Sequence, residues 1–162
     1  MSSSIKEMLA EANAVVPRLN PPEVREMIGE GDVLVVDVRD APELAAGGRF
    51  KGALPVSRGM LEFHADPESP AHDPAFQNDK TVLVYCGSGG RAALDSKTLK
   101  DFGYRPVFSA CGFKELADAG PGDGASVLQL SMTATASISI IASGSARRLI
   151  WTVVLVGVAG PK

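Results

Sequence analysis

Short apolar runs alternate with helix-like segments along the first 120 residues of this 162-residue chain. Three short apolar runs predict strands, over residues 33–38, 81–85 and 106–110, and the run 81–85 is rich in β-branched residues, as expected of a buried strand. Apolar residues at helical spacing predict helices from about Arg91 to Gly103 and over residues 113–119. Strands that alternate with helices predict an α/β fold, in which a mostly parallel central sheet is flanked by helices on both faces.

Capping patterns predict two more helices near the N-terminus. Ser4 and Glu7 have the spacing of a capping box, which predicts a short helix within residues 1–14. Asn20 precedes two prolines and Glu23, a pattern that predicts the start of a second helix. We also predict a brief helix over residues 42–46. The proline-rich residues 57–79 are predicted to form a surface connection with one helical turn near residues 74–78.

The composition changes abruptly after a Gly-Pro-Gly-Asp-Gly segment at residues 120–124. From Ala125 onward the only charged residues are Arg147, Arg148 and Lys162. Residues 121–162 are therefore treated as a Ser/Thr-rich, apolar tail, which could add strands, promote aggregation or represent an aberrant C-terminus. Its apolar run 149–159 is shorter than the roughly 20 residues that span a bilayer, so a membrane partner is not expected.

Charge and cysteine content narrow the functional classes. The net charge of −3 and the lack of a basic cluster argue against a nucleic-acid partner. Two cysteines and an N-terminus without an apolar signal core predict a cytoplasmic protein with reduced thiols. His64 and His72 lack the spacing of a metal site, and no dinucleotide fingerprint is present. We therefore expect neither a metal nor an organic cofactor.

The strand predicted over residues 81–85 leads directly into a cysteine and a glycine-rich turn. This segment, called the Cys86 loop below, contains a nucleophile, four small residues and a cation: Cys86, Gly87, Ser88, Gly89, Gly90 and Arg91. Glycines allow the loop to curl and direct its N–H groups inward, and the helix N-terminus that follows favours an anion. The pattern predicts a reactive thiolate with substrate-binding N–H groups, and a buried structural cysteine is the alternative.

The Cys86 loop resembles the active-site loop of the rhodanese (thiosulfate sulfurtransferase) family. Asp37 and Arg39 match the family's Asp-x-Arg pattern at the end of an earlier strand, and Glu43 follows at the usual place. Residues 50–55 look like the family's Gly-Ala turn. The resemblance covers about residues 15–120, which we expect to form a rhodanese-like domain.

Residues 112–116 resemble the start of the family's final helix, and the preceding Cys111 departs from the pattern because members often carry glycine there. Cys111 follows a strand predicted to lie parallel to the one that carries Cys86. It is either a small residue tolerated at a turn or a resolving thiol that attacks an oxidised or persulfidated Cys86.

The resemblance implies a sulfurtransferase that needs no cofactor. Cys86 would take sulfane sulfur from thiosulfate or a similar donor as a persulfide and pass it to a thiol, cyanide or a protein acceptor. Arg91 would support the thiolate and an anionic substrate. Four further residues are expected to support the site: Asp37, Arg39, Glu43 and Arg58. An ion pair that holds loops together is the favoured interpretation of the first two.

Two other functions stay open at this point. A non-enzymatic module could carry persulfide or bind a partner with the same cysteine. Phosphatases and arsenate reductases also combine a cysteine, a small loop and an arginine, but their loop has five residues between the two. Here Cys86 and Arg91 enclose four, which favours a narrower cradle suited to a single sulfur atom. The sequence does not specify the physiological donor and acceptor or the oligomeric state.

Overall fold

The computed structural model describes residues 4–119 and the backbone of residues 130–131. Its strands are β1 (Arg18–Leu19), β2 (Val33–Asp37), β3 (Arg49–Phe50), β4 (Leu54–Pro55), β5 (Thr81–Tyr85), β6 (Val107–Ala110) and β7 (Leu130–Ser131). Its helices are α1 (Ile5–Val15), α2 (Pro21–Glu30), α3 (Ala41–Gly47), α4 (Leu61–Ala65), α5 (Gly90–Asp101) and α6 (Phe113–Asp118), with a 3₁₀-helix at Arg58–Met60. The predictions for the remainder of residues 121–162 lie outside the described residues.

Five strands form one parallel sheet in the order β1, β6, β5, β2, β4. The registers align the strand ends: Asp37 at the end of β2 lies opposite Tyr85 at the end of β5. The segments that follow β2, β5 and β6 therefore emerge at the same edge of the sheet, where α/β folds place their functional sites. The prediction of a mostly parallel sheet is confirmed. Separately, β3 pairs with β7 in antiparallel orientation.

Buried side chains form one cluster on each face of the sheet. Along β5 the residues alternate, so that Val82 and Val84 join one cluster and Leu83 and Tyr85 join the other. Helices α4 and α5 contribute to the first cluster, and α2 and α6 contribute to the second. This arrangement confirms the prediction that helices flank both faces of the sheet.

The predicted helix starts carry the capping contacts that their sequences imply. The Ser4 side chain accepts the N–H of Glu7 at 3.3 Å, and Asn20 Oδ1 accepts the N–H of Glu23 at 3.0 Å. In each case the glutamate side chain returns a hydrogen bond to the N–H of the cap residue. These local contacts fix the starts of α1 and α2 and satisfy N–H groups that a helix cannot pair internally.

The prediction for residues 57–79 is wrong in two respects. Residues 74–78 contain a hydrogen-bonded turn, from the N–H of Phe76 to the carbonyl of Asp73, but no helix. The helix of this segment is α4, in which Leu61 and Ala65 are fully buried. Their four-residue spacing places both on one face, which turns part of the supposed surface connection into core. Phe76 is also buried and packs edge-on against a tyrosine ring.

The sequence patterns also gave no sign of the two-residue strands β1, β3 and β4. Within residues 4–119 no helix combines the length and the apolar character needed to cross a bilayer.

Candidate active site

The sulfur atom of Cys86 lies at the start of α5, directly after β5. Its Sγ accepts the backbone N–H of Gly89 at 3.1 Å and that of Ala92 at 3.4 Å. Gly89 adopts a left-handed backbone conformation with φ of 96°, which glycine reaches without a Cβ clash. This turn points the loop back toward the sulfur. The two N–H groups favour a negative charge on the sulfur, as does the positive end of a helix.

The prediction named the loop residues but not Ala92, whose N–H is one of the two donors to Sγ. Ala92 is the third residue of α5, and its N–H is one of the first four that a helix leaves without an internal partner. Counting three residues into the predicted helix would have identified this donor. Cys86 has no exposed surface, whereas the neighbouring Ser88 is exposed and Gly87 is half-buried.

Arg91 at the end of the loop forms a two-pronged ion pair with Glu43 of α3. Its Nη1 lies 2.6 Å from Oε2 and its Nη2 lies 2.8 Å from Oε1. The hydrogen bond from Arg91 lowers the pKa of Glu43 to about 2, and the same bond raises the pKa of Arg91. This is the bidentate geometry, in which two guanidinium nitrogens donate to the two carboxylate oxygens, and it gives a strong charge-assisted pair. The cation beside the cysteine therefore has a fixed position.

Gly87 lies beneath this ion pair. A Cβ atom at Gly87 would be 3.2 Å from Glu43 Oε1 and 3.3 Å from Arg91 Nη2. A glycine here lets the loop pass close to the two side chains, so the loop and the ion pair constrain each other.

Asp37 and Arg39 form a second, fully buried ion pair at the end of β2. Arg39 Nη2 lies 2.7 Å from Asp37 Oδ2 and also donates to the carbonyl of Gly48 at 2.7 Å. The Arg39 Cζ atom lies 3.8 Å from the centre of the Phe113 ring. These contacts join the end of β2, the residue that follows α3 and the first residue of α6. The sequence interpretation favoured an ion pair between these two residues, and its role in holding the loops together stays a prediction.

Arg58 pairs with an aspartate that the sequence patterns did not single out. Its Nη1 donates to Asp95 Oδ1 at 2.7 Å and reaches the carbonyl of Arg91 at 3.5 Å. Burial raises the pKa of Asp95 to about 7, although the nearby positive charge of Arg58 opposes the shift. Asp95 occupies an apolar position of α5, between buried Ala92 and Leu99. A charged residue on the apolar face of a helix is the signal that could have identified it.

The Cys111 segment packs directly against the Cys86 loop. A Cβ atom at Gly112 would lie 2.6 Å from the carbonyl oxygen of Gly87, and the N–H of Phe113 donates to the carbonyl of Cys86 at 2.8 Å. Burial raises the pKa of Cys111. Cys86 belongs to the cluster on one face of the sheet and Cys111 to the cluster on the other. A resolving role for Cys111 stays a hypothesis that requires the two thiols to move together.

A fourth arginine, Arg18, also approaches the loop. Arg18 Nη2 would lie 3.3 Å from a Cβ atom at Gly89, and it is 3.9 Å from Glu115. Within residues 4–119 no group of three or more His, Cys, Asp and Glu side chains is arranged to hold a metal ion.

The chain belongs to the rhodanese-like domain family, whose model matches residues 20–119. This match spans β2 to β6, the Cys86 loop and helices α2 to α6.

Curated relatives share the same region. The tRNA uridine(34) hydroxylase of Chlamydia abortus is 34% identical over 96 residues, which are 58% of this chain and 28% of that protein. The protein of the same name from Acinetobacter baumannii strain AYE is 31% identical over 114 residues, covering 66% of this chain and 35% of the relative. The chain thus spans about a third of the length of these relatives.

Solved structures extend the comparison. A protein of unknown function from Rhodopseudomonas palustris, described as a possible tyrosine phosphatase, is 41% identical with a TM-score of 0.70. The match covers 74% of this chain and 93% of that one. A human single-domain sulfurtransferase matches with a TM-score of 0.57 at 22% identity, over 65% of this chain and 99% of that one. At that identity the likeness shows the fold alone.

Proposed function

We propose that this member of the rhodanese-like domain family is a sulfurtransferase that works through a persulfide on Cys86. It moves sulfane sulfur from thiosulfate or a similar small donor to a thiophilic acceptor. One observation carries the proposal: Cys86 Sγ accepts two backbone N–H groups at the start of α5. Such donors stabilise a thiolate before the reaction and an anionic persulfide after it.

The first half-reaction loads the cysteine. The Cys86 thiolate attacks the outer sulfur of thiosulfate and forms a new S–S bond. The bond between the outer sulfur and the sulfonate sulfur breaks, and sulfite leaves with the electron pair. The enzyme is left with an anionic persulfide, and the total charge of enzyme and small molecules is the same before and after the step. The N–H groups of Gly89 and Ala92 bond Sγ, which is the inner sulfur of this persulfide, one S–S bond from the terminal sulfur that carries the negative charge.

The second half-reaction returns the thiolate. A thiol, cyanide or a protein acceptor attacks the outer persulfide sulfur, and Cys86 leaves as a thiolate that the same N–H groups stabilise. In the reducing cytoplasm that we propose for this chain, thiols are abundant acceptors. Each step exchanges one S–S bond or transfers one sulfur atom, and the donor and acceptor supply all of the electrons.

Arg91 contributes to this chemistry mainly by fixing the loop. Its forked ion pair with Glu43 occupies both terminal nitrogens, and the pair lies over Gly87. The guanidinium still supplies a positive charge near Cys86. We propose that Asp37 and Arg39 support the site from a distance, because their buried pair anchors the loops around it.

A phosphatase is the second candidate, suggested by the description of the Rhodopseudomonas palustris protein. Two features of this chain disfavour it. The Cys86 loop has four residues between cysteine and arginine, and the arginine is already bound to Glu43. A phosphate dianion needs several convergent donors at once, and a forked arginine is the usual choice. A sulfane sulfur atom needs only the N–H groups that already face the sulfur.

A carrier without turnover and an RNA substrate are further alternatives. The tRNA-modifying relatives are about three times as long as the matched segment, so their named activity describes a larger protein. With a net charge of −3, this chain is proposed to act on a small donor rather than on nucleic acid.

Thiocyanate formation from thiosulfate and cyanide tests the proposal. We expect Cys86→Ser to lower the rate on the order of 1,000-fold, because the nucleophile is lost. Cys111→Ser is the matched control and is expected to stay within about threefold of wild type. Wild-type protein treated with thiosulfate and desalted without reductant should gain the mass of one sulfur atom, and Cys86→Ser should not.

Three results would each favour a different function. Equal thiocyanate rates for wild type and Cys86→Ser, with persulfide still formed on the wild type, would favour a carrier. Hydrolysis of p-nitrophenyl phosphate that depends on Cys86 would favour the phosphatase. Cys86-dependent modification of a tRNA substrate would favour the activity named for the relatives.

A further inference from the structure

Asp95 is a buried carboxylate on the apolar face of α5. The residue is 2% exposed, and Ala92 and Leu99 of the same helix are also buried. Its Oδ1 accepts a hydrogen bond from Arg58 Nη1 at 2.7 Å, whereas its Oδ2 has no hydrogen-bond partner among the described residues. Desolvation and the unsatisfied oxygen both make the charged form of this carboxyl costly to bury. A small change in pH can therefore change its charge.

The surroundings of Asp95 bring its ionisation close to neutral pH. Burial raises the pKa of Asp95 to about 7, and three charged side chains modify the shift. The positive charges of Arg58 on the 3₁₀-helix and Arg91 on α5 oppose it, and the negative charge of Glu62 on α4 adds to it. An ordinary carboxyl titrates about three pH units lower. The charge of Asp95 thus depends on pH in a range where most carboxylates stay ionised.

The Asp95–Arg58 pair attaches the 3₁₀-helix to α5. Arg58 is the first residue of this short helix, and none of its three residues is buried. The following helix α4 is held differently, because its Leu61 and Ala65 are fully buried in the cluster that α5 also joins. Apolar packing therefore holds α4, whereas the 3₁₀-helix depends on polar contacts such as this ion pair.

Arg58 also contacts the backbone at the end of the Cys86 loop. Its Nη1 lies 3.5 Å from the carbonyl oxygen of Arg91. The N–H of the same peptide group belongs to Ala92 and donates to Cys86 Sγ. In a trans peptide the C=O and N–H point in opposite directions, so Arg58 lies on the side of this peptide away from the sulfur. A change at Arg58 therefore reaches the loop through its backbone.

We propose that Asp95 and Arg58 form a pH-sensitive switch, in which the ionised carboxylate holds the 3₁₀-helix against α5 and protonation of the carboxylate releases it. The neutral carboxyl still accepts a hydrogen bond from Arg58, but the bond is weaker because only one partner is charged. The proton comes from solvent, and the step is reversible. The switch is a property of the fold beside Cys86 and does not depend on the proposed sulfur transfer.

Protonation has opposite effects on the local contact and on the whole fold. The pKa of Asp95 rises from 3.8 to about 7, so the folded protein binds this proton more tightly than the unfolded chain does. The resulting stability is fully present below about pH 3.8 and is lost as the pH rises through about 7. From pH 8 to pH 6, the folding equilibrium constant should rise about tenfold through this group, while the 3₁₀-helix becomes less firmly attached.

Amide hydrogen exchange, measured residue by residue, tests the local effect. The N–H of Met60 donates to the carbonyl of Ser57 and that of Leu61 to the carbonyl of Arg58, so both report opening of the 3₁₀-helix. We expect their protection factors to fall about fivefold from pH 8 to pH 6, because one charge-assisted hydrogen bond becomes weaker. The N–H of Asp66, which follows α4, is the internal control and should keep its protection.

Asp95→Asn separates this carboxyl from other titrating groups. The amide keeps the shape but cannot ionise, so Met60 and Leu61 should have the low wild-type protection of pH 6 at both pH values. Asp101→Asn, on the exposed face of the same helix, is the matched control and should behave as wild type. Histidines titrate in the same range, so His64→Gln on α4 is a second control and should also behave as wild type.

Urea unfolding tests the global effect. The folding constant of wild type, divided by that of Asp95→Asn, should rise about tenfold from pH 8 to pH 6. The division removes the contributions of other titrating groups. If Asp95→Asn does not fold, Arg58→Gln gives a second readout, in which Met60 and Leu61 should lose protection at pH 8 and lose no more at pH 6.

Three outcomes would overturn the switch. The first is equal protection of Met60 and Leu61 in wild type at pH 6 and pH 8. The second is a pH dependence that persists in Asp95→Asn or disappears in His64→Gln. The third is a ratio of folding constants that does not change with pH, which would mean that Asp95 does not titrate in this range. None of these measurements uses a sulfur donor, so their outcome is independent of the thiocyanate assay.

Discussion

Two neighbouring parallel strands, β5 and β6, each lead into a cysteine and then a helix, but the two cysteines have different surroundings. Cys86 Sγ accepts two N–H groups from its own loop and helix. The pKa of Cys111 is raised by burial. Both side chains are buried, so exposure does not separate them. A position at the end of a strand is therefore not enough to direct N–H groups at a sulfur atom. The intervening loop must turn the free N–H groups of the helix back onto the sulfur.

The difference lies in the residues that follow each cysteine. After Cys86, several small residues and a left-handed glycine separate the strand from the 12-residue helix α5. After Cys111, a single glycine precedes the 6-residue helix α6. The first N–H of α6, from Phe113, donates to the carbonyl of Cys86. The second segment thus uses its helix start to support the first one.

Among variants that keep both cysteines, the largest expected effect comes from disturbing that support. Gly112→Ala places a Cβ atom 2.6 Å from the backbone oxygen of Gly87, so the Cys86 loop must shift. We expect kcat/KM for thiosulfate to fall about 100-fold, since small displacements of a nucleophile are costly. Gly29→Ala is the control, because a Cβ atom there meets nothing within 4 Å. A Gly112→Ala enzyme with wild-type kcat/KM would show that the two segments do not constrain each other.

Alkylation sharpens the comparison directly. With iodoacetamide at pH 7, we expect Cys86 to be modified about ten times faster than Cys111, because thiolates react, two N–H groups donate to the Cys86 sulfur, and burial raises the pKa of Cys111. Peptide mapping of partially modified protein gives both rates in one sample. Equal rates would mean that the hydrogen bonds to Sγ do not influence its reactivity.

Local patterns made most of the fold predictable, and long-range pairs did not. The capping contacts of Ser4 and Asn20 lie within three residues of each cap, so the sequence reveals them. The two-residue strands are too short to show a period. Helix α4 is hidden because its five residues make little more than one helical turn, too short to show a helical period.

In the site, too, the sequence predicts the continuous segment but not the pairs between distant residues. The Cys86 loop is continuous in sequence and was recognised from its residues. The forked pair joins positions 48 residues apart, and the Arg58–Asp95 pair joins positions 37 apart. No local rule selects one partner among many charged residues at such distances. Only the parallel sheet, which brings the strand ends to one edge, decides which side chains meet.

The smallest expected effect concerns the Arg91–Glu43 ion pair, which contacts the Cys86 loop. Near Cys111, by contrast, Arg18 and Glu115 lie 3.9 Å apart. The hydrogen bond from Arg91 lowers the pKa of Glu43 from 4.5 to about 2, so the pair stabilises the fold above about pH 4.5 and loses this contribution as the pH falls toward 2. Both side chains are about one-third exposed, and solvent screening limits the contribution to roughly 0.5 kcal/mol.

Glu43→Gln should therefore lower the free energy of unfolding by about 0.5 kcal/mol at pH 7, and the deficit should shrink between pH 4.5 and pH 3. Urea unfolding of wild type and variant at these pH values measures it. Glu30→Gln, at the exposed end of α2, is the control and should show no deficit at any of them. A deficit that is the same at pH 7 and pH 3 would mean that Glu43 stabilises the loop through packing rather than through its charge. The Arg91–Glu43 ion pair would then no longer distinguish the Cys86 segment from the Cys111 segment electrostatically.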